Sequence, residues 1–133
     1  MQLMVSTDIA LRTLIYLGQK NATATIQEVA TACNISKTHL MKVVMTLVGA
    51  NLLVSERGRN GGVRLALEPR DLSIGTVVRL MENNLALVVC MKGDAPTDSC
   101  PLLPRCRLKG VFSQAQDAFL ASLDQSSLAD LLA

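Results

Sequence analysis

The stretch Gly58-Arg59-Asn60-Gly61-Gly62 constrains this chain more than any other feature. It separates Leu52-Leu53-Val54-Ser55-Glu56-Arg57 from Val63-Arg64-Leu65-Ala66-Leu67, two runs that read as strands. The Asn-Gly step between them is a strong short-range signal for a hairpin. Everything upstream reads as helix. Three helices followed by a hairpin is the element order of a winged helix-turn-helix, and that order carries the fold inference.

The helices announce themselves by caps and periodicity. The first is expected over Thr7–Gln19, with Ser6 or Thr7 as cap and Leu11, Leu14, Ile15 and Gly18 on its inner face. Thr25-Ile26-Gln27-Glu28 is a capping box, in which the Thr hydroxyl accepts from the Glu amide and the Glu carboxylate reaches back. It opens a helix over Ile26–Cys33 that buries Val29, Ala30 and Cys33. Asn34 supplies the left-handed stop. Ser36 caps a third helix that runs to Gly49, with Leu40, Val43, Val44, Leu47 and Val48 inward. The second and third helices form the helix-turn-helix. The outward positions Ser36, Lys37, Thr38, His39 and Lys42 would then face a major groove, and Arg57, Arg59 and Asn60 at the wing tip a minor groove.

Charge agrees with that placement. Residues 1–70 hold eight Lys/Arg against four Asp/Glu, and residues 71–133 hold five against seven. A basic front half suits double-stranded DNA, although a solvated polar face would look the same. Of 133 residues half are apolar, but Tyr16, Phe112 and Phe119 are the only aromatics, so the core must be aliphatic. The longest uninterrupted apolar run, Leu85 to Met91, is too short to span a membrane. With no secretory signal readable, a cytoplasmic protein is expected. A single histidine, no phosphate loop and no nucleophile–base pair argue against an enzyme.

Beyond Pro69, Ser73 caps a helix that runs to Glu82, and residues 83–104 read as an irregular segment. A last helix over Arg105–Leu123 carries Leu108, Val111, Phe112, Ala115, Ala118 and Phe119, the pattern of a dimerisation helix. A short turn is expected over Ser127–Leu132. Cys90, Cys100 and Cys106 fall within or beside the irregular segment. No CxxC pair of the zinc or thioredoxin type is present, and an odd number of thiols does not close into disulfides. Three soft donors on a Gly- and Pro-bearing segment suit an iron–sulfur cluster, with Lys92, Arg105 and Arg107 offsetting its charge. By spacing alone, three incidental thiols fit equally well. Cys33, on an inward position, reads as a small hydrophobe.

Met1-Gln2-Leu3, Thr7-Asp8, Leu11-Arg12, Ile35-Ser36 through His39, the wing Arg57 to Leu65 and Cys106-Arg107-Leu108 together resemble the IscR/NsrR family of winged helix-turn-helix regulators. The likeness is greatest to the nitric-oxide-sensing, NsrR-like branch. It implies a homodimeric repressor that binds an operator and responds to nitric oxide. It implies a 4Fe–4S cluster, with 2Fe–2S as the alternative, held by Cys90, Cys100, Cys106 and Asp8 from the partner subunit. The cluster-assembly branch has a histidine directly after the third cysteine, where this chain has Arg107.

The expectation is therefore a mainly α fold with a small β-hairpin and a long C-terminal dimerisation helix. Residues 1–70 form the winged helix-turn-helix DNA-binding domain. Residues 71–133 hold the cluster-binding loop, about 83–106, and the dimerisation helix. The rivals are an iron–sulfur-assembly regulator or a thiol-redox or zinc-dependent regulator of the same fold and, more remotely, a small iron–sulfur carrier.

Overall fold

The periodic aliphatic positions of the first 49 residues fold into three helices, α1 (Val5–Lys20), α2 (Ile26–Cys33) and α3 (Lys37–Gly49). The structure is a computed structural model and describes residues 1–59, 61–96, 98, 100–103 and 105–132. Ser36 caps α3 by accepting from His39 N at 3.3 Å. Asn34 ends α2 at φ 53°, the left-handed conformation its short polar side chain tolerates. Half of the α2 capping box forms: Thr25 Oγ1 accepts from Glu28 N at 3.1 Å. The Glu28 carboxylate turns mainly to Lys20 and to Tyr16 Oη, which donates at 2.8 Å. Those two contacts hold its carboxyl below the ordinary range, Lys20 contributing most.

Helix α1 departs from expectation at its start. It begins at Val5, with Met4 in the cap position and no local side chain capping it. Thr7 is not a cap: it is fully buried and its hydroxyl donates to Glu82 at 2.6 Å. The buried face is Thr7, Ile9, Ala10, Thr13, Leu14 and Leu17, while Leu11, Ile15 and Gly18 are half-buried. The wider face arises because α1 packs against α2, α3 and α4 together.

The wing is an antiparallel pair, β1 (Leu53–Glu56) and β2 (Gly62–Leu65), registered Leu53 opposite Leu65 and Glu56 opposite Gly62. The strands are shorter than the runs in the sequence, the first ending at Glu56 and the second at Leu65. Gly61 N donates to Gly58 O at 3.0 Å, tying the two sides of the loop together. Ala24 and Val63 exchange backbone hydrogen bonds of 2.9 and 2.8 Å, which dock the wing on the loop before α2. Gly62 sits at φ 148°, and a β-carbon there would stand 2.2 Å from Ala24 O, so the site admits only glycine.

A 3-10 turn, Pro69–Asp71, leads to α4 (Ile74–Met81), where Ser73 Oγ accepts from Thr76 N at 3.1 Å. The segment that follows is irregular among its described residues, with a 3-10 turn at Val89–Met91. Helix α5 (Leu108–Asp124) starts three residues later than the sequence pattern indicates, with Arg107 in the cap position. It lies on α4 through a small cluster of Ile74, Val78 and Leu120. Arg79 clamps Asp124 with bonds of 2.6 and 2.7 Å. The chain then turns back: Leu128 N donates to Leu72 O at 2.8 Å, and Leu128 enters the main core with Leu14, Leu17, Leu40 and Leu47. No helix among the described residues is long and apolar enough to cross a membrane.

Candidate nucleic-acid interface and cysteine segment

Burying Leu40, Val43, Val44 and Leu47 fixes the rotation of α3. Lys37, Thr38, His39 and Lys42 are consequently exposed on the opposite side, in its first two turns. Ser36 stands at the N-terminus of that face, its oxygen accepting the capping bond. Arg57 and Arg59 are exposed in the wing loop, while Asn60 lies outside the described residues. Arg64 is different: its Nε binds Glu56 Oε1 at 2.7 Å, which lowers the Glu56 carboxyl pKa and neutralises that arginine. Among the described residues, no carboxylate pairs with Lys37, Lys42, Arg57 or Arg59. Four cations on α3 and the wing, without a carboxylate partner among the described residues, suit a phosphate backbone.

Two residues of this face escaped sequence reasoning, which weighed only polar side chains. Met41 and Met45 are 49% and 73% exposed on α3, beside Lys42. The signal was present in the helical spacing: once Leu40, Val43, Val44 and Leu47 point inward, both methionines must point out. Lys42 also borders a cleft of about 180 Å³ that it shares with Met4, Ser6, Thr46 and Asn83.

Asp8 is exposed in the first turn of α1 and pairs with Arg12. The same guanidinium donates through Nη1 to Cys33 O at 2.9 Å, at the last residue of α2. Cys33 Sγ lies 3.8 Å from Arg12 O, and burial pushes its thiol pKa up, against the pull of Arg12. It is half-buried and packs against the core, as a small hydrophobe does.

Cys90 lies in the Val89–Met91 turn, Cys100 in the irregular segment and Cys106 just before α5; all are half-buried free thiols. Within one chain, and among the described residues, no three His, Cys, Asp or Glu side chains are grouped closely enough to hold a metal ion. The structure therefore presents the three thiols on one segment and Asp8 on another element, without gathering them. Lys92, Arg105 and Arg107 are exposed near the cysteines in sequence.

With helices, wing and cysteine segment in place, comparison with known proteins gives one consistent answer. The family model Rrf2, described as iron-dependent transcriptional regulator, matches residues 3–133. The chain belongs to the Rrf2 family. It is 46% identical to the HTH-type transcriptional regulator NsrR of Halalkalibacterium halodurans, over 99% of this chain and 90% of that protein. It is 40% identical to the protein of the same name from Bacillus subtilis, with the same coverage. Among solved structures, T. potens IscR superimposes with a TM-score of 0.78 at 23% identity, covering 99% of this chain and 86% of that one. The oxidised form of Staphylococcus aureus CymR gives 0.77 at 25% identity, covering 99% and 96%. These likenesses bear out the winged helix-turn-helix fold. This Rrf2 protein is a transcriptional regulator rather than an enzyme.

Proposed function

We propose that this Rrf2 protein is a homodimeric DNA-binding repressor that senses nitric oxide through an iron–sulfur cluster of the 4Fe–4S type. One observation carries the reading: three free, half-buried thiols lie on or beside a single irregular segment, in a chain matched along its length by regulators named NsrR. The donor chemistry fits the group, since soft thiols uncommitted to disulfides are what such a cluster needs. Cys90, Cys100 and Cys106 would hold it, and the partner's Asp8 would supply the fourth ligand. When bound, the cluster supplies iron with which nitric oxide reacts.

The chain's own residues then connect that ligand to DNA. Asp8 balances Arg12, and Arg12 holds the carbonyl at the end of α2. Drawing the Asp8 carboxylate away leaves the guanidinium to re-pair, which shifts the charge held against the turn of the helix-turn-helix. A bistable seat for α2 and α3, biased from outside the DNA surface, is the form an allosteric link must take. Lys37, Thr38, His39, Lys42, Arg57, Arg59 and Asn60 would meet the operator, with Ser36 fixing the start of the recognition helix. The uncovered stripe of α5, with Leu108, Val111 and Phe119 exposed, supports a second copy as its cover.

Anaerobic purification with an iron and sulfide count tests the reading. We expect visible absorption that is lost in each of Cys90→Ala, Cys100→Ala and Cys106→Ala and kept in Cys33→Ala. A colourless wild type carrying zinc or no metal would move the protein to the zinc-dependent or thiol-redox class.

A further inference from the structure

Helix α1 starts without a cap of its own, and the group that fills the place comes from far along the chain. Glu82 Oε1 accepts from Met4 N at 2.7 Å and from Thr7 Oγ1 at 2.6 Å. Met4 O in turn accepts from Thr7 N at 3.0 Å and Asp8 N at 3.2 Å. The turn that carries Asp8 is thus closed on a residue that Glu82 holds. One side-chain oxygen accepts both bonds at the end of α1 where the helix leaves its amides without partners. Thr7 is fully buried, so removing the acceptor strands a hydroxyl away from water.

Glu82 is also the residue at which α4 ends and the cysteine-bearing segment begins. Its neighbour Asn83 lines the same cleft as Met4 and Ser6 of the α1 start and Lys42 and Thr46 of α3. Glu82 thus joins the turn presenting Asp8 to the root of the cysteine segment, and its neighbour Asn83 borders α3 across the cleft.

We propose that Glu82 is a positioning residue that ties the root of the cysteine segment to the turn of α1 presenting Asp8. Movement of the segment is passed to Asp8 through the bonds to Met4 and Thr7, and through Asp8 to Arg12. The inference rests on Asp8 being a ligand across the dimer, but its first test needs no cluster.

That test is amide hydrogen exchange on the full-length apo-protein. Glu82→Ala exposes the turn, and exchange at Thr7 and Asp8 rises about tenfold while α2 and α3 stay at wild-type protection. Glu82→Gln, which retains an acceptor oxygen, restores protection to within about threefold of wild type. Unchanged exchange in Glu82→Ala, or an equal rise throughout α2 and α3, overturns the proposal. The second test compares visible spectra after anaerobic reconstitution with iron and sulfide. Glu82→Ala should reproduce the altered spectrum of Asp8→Ala, and Glu82→Gln the wild-type spectrum. A wild-type spectrum in Glu82→Ala overturns the link to Asp8. If Asp8→Ala itself keeps the wild-type spectrum, the ligand reading of Asp8 fails and takes the proposal with it, whereas the exchange result still reports the cap.

Discussion

Arg12 holds two partners with one guanidinium, the Asp8 carboxylate and the Cys33 carbonyl, and in the proposed mechanism the response depends on how that sharing changes. Asp8→Ala removes one partner. If Asp8 acts across the dimer, the variant keeps a cluster bound by three cysteines, with a changed spectrum and a DNA affinity less responsive to nitric oxide. A carboxylate that only serves the helix dipole predicts a loss of about 0.3–1 kcal/mol in stability, with spectrum and response unchanged. Anaerobic spectra and nitric oxide titrations of both proteins separate these outcomes. On the DNA side, Lys42→Ala and Arg59→Ala should weaken binding and each lower the salt slope by about one if the lost contact is to phosphate. Binding isotherms across a salt series check this, and unchanged isotherms in both variants would misplace the interface. The individual residues were unequally legible. Lys42 and Arg59 are cations on strongly patterned elements, so their exposure follows from spacing. Glu82 was unreadable, because its partners Met4 and Thr7 lie more than seventy positions away.

Local chemistry decided most of the elements. Thr25, Ser36 and Ser73 each accept from the amide three residues on, so α2, α3 and α4 begin where capping rules place them. Helix α1 does not, since its cap is a remote carboxylate and no local pattern encodes one. The wing was legible as a hairpin but not in register, because the backbone bridge from Ala24 to Val63 and the clearance at Gly62 set where β2 begins. Gly62→Ala should therefore destabilise the fold by more than the ordinary cost of a surface substitution, about 0.5 kcal/mol. Denaturant midpoints test this, and a wild-type midpoint would contradict the close approach. The junction of α4 and α5 carries a pH dependence. Arg79, with a smaller contribution from Ser73, holds the Asp124 carboxyl below its ordinary value of 3.8. A depressed folded-state pKa gives stability that is present above the unfolded value and lost as pH falls through the folded one. Asp124→Asn should accordingly shrink the fall in melting temperature on acidification below about pH 4, as thermal melts across that range will show.

At the scale of the whole molecule, α5 leaves an apolar stripe uncovered, which is where the proposed second copy would pack. Only Leu120 of α5 is buried, whereas Leu108 and Val111 are more than half exposed. The stripe was legible in the sequence; the return of Leu128 into the main core was not, because the four-residue turn Leu128–Leu131 is too short to show a period. Val111→Glu should convert dimer to monomer in sedimentation and weaken operator binding while the melting transition persists. A variant that remains dimeric would place the interface elsewhere. The three cysteines were legible as a donor set, but among the described residues one chain leaves them on separate elements from Asp8, which is why the proposed site calls on a partner. The central claim, that a cluster links nitric oxide to DNA, is tested most directly by titrating anaerobically purified protein with nitric oxide. The readout is its affinity for a duplex selected from a random-sequence pool, recorded together with the visible spectrum at one fixed salt concentration. The account predicts that affinity and cluster absorption fall together over the same additions of nitric oxide. Affinity that holds constant while the absorption disappears would contradict it.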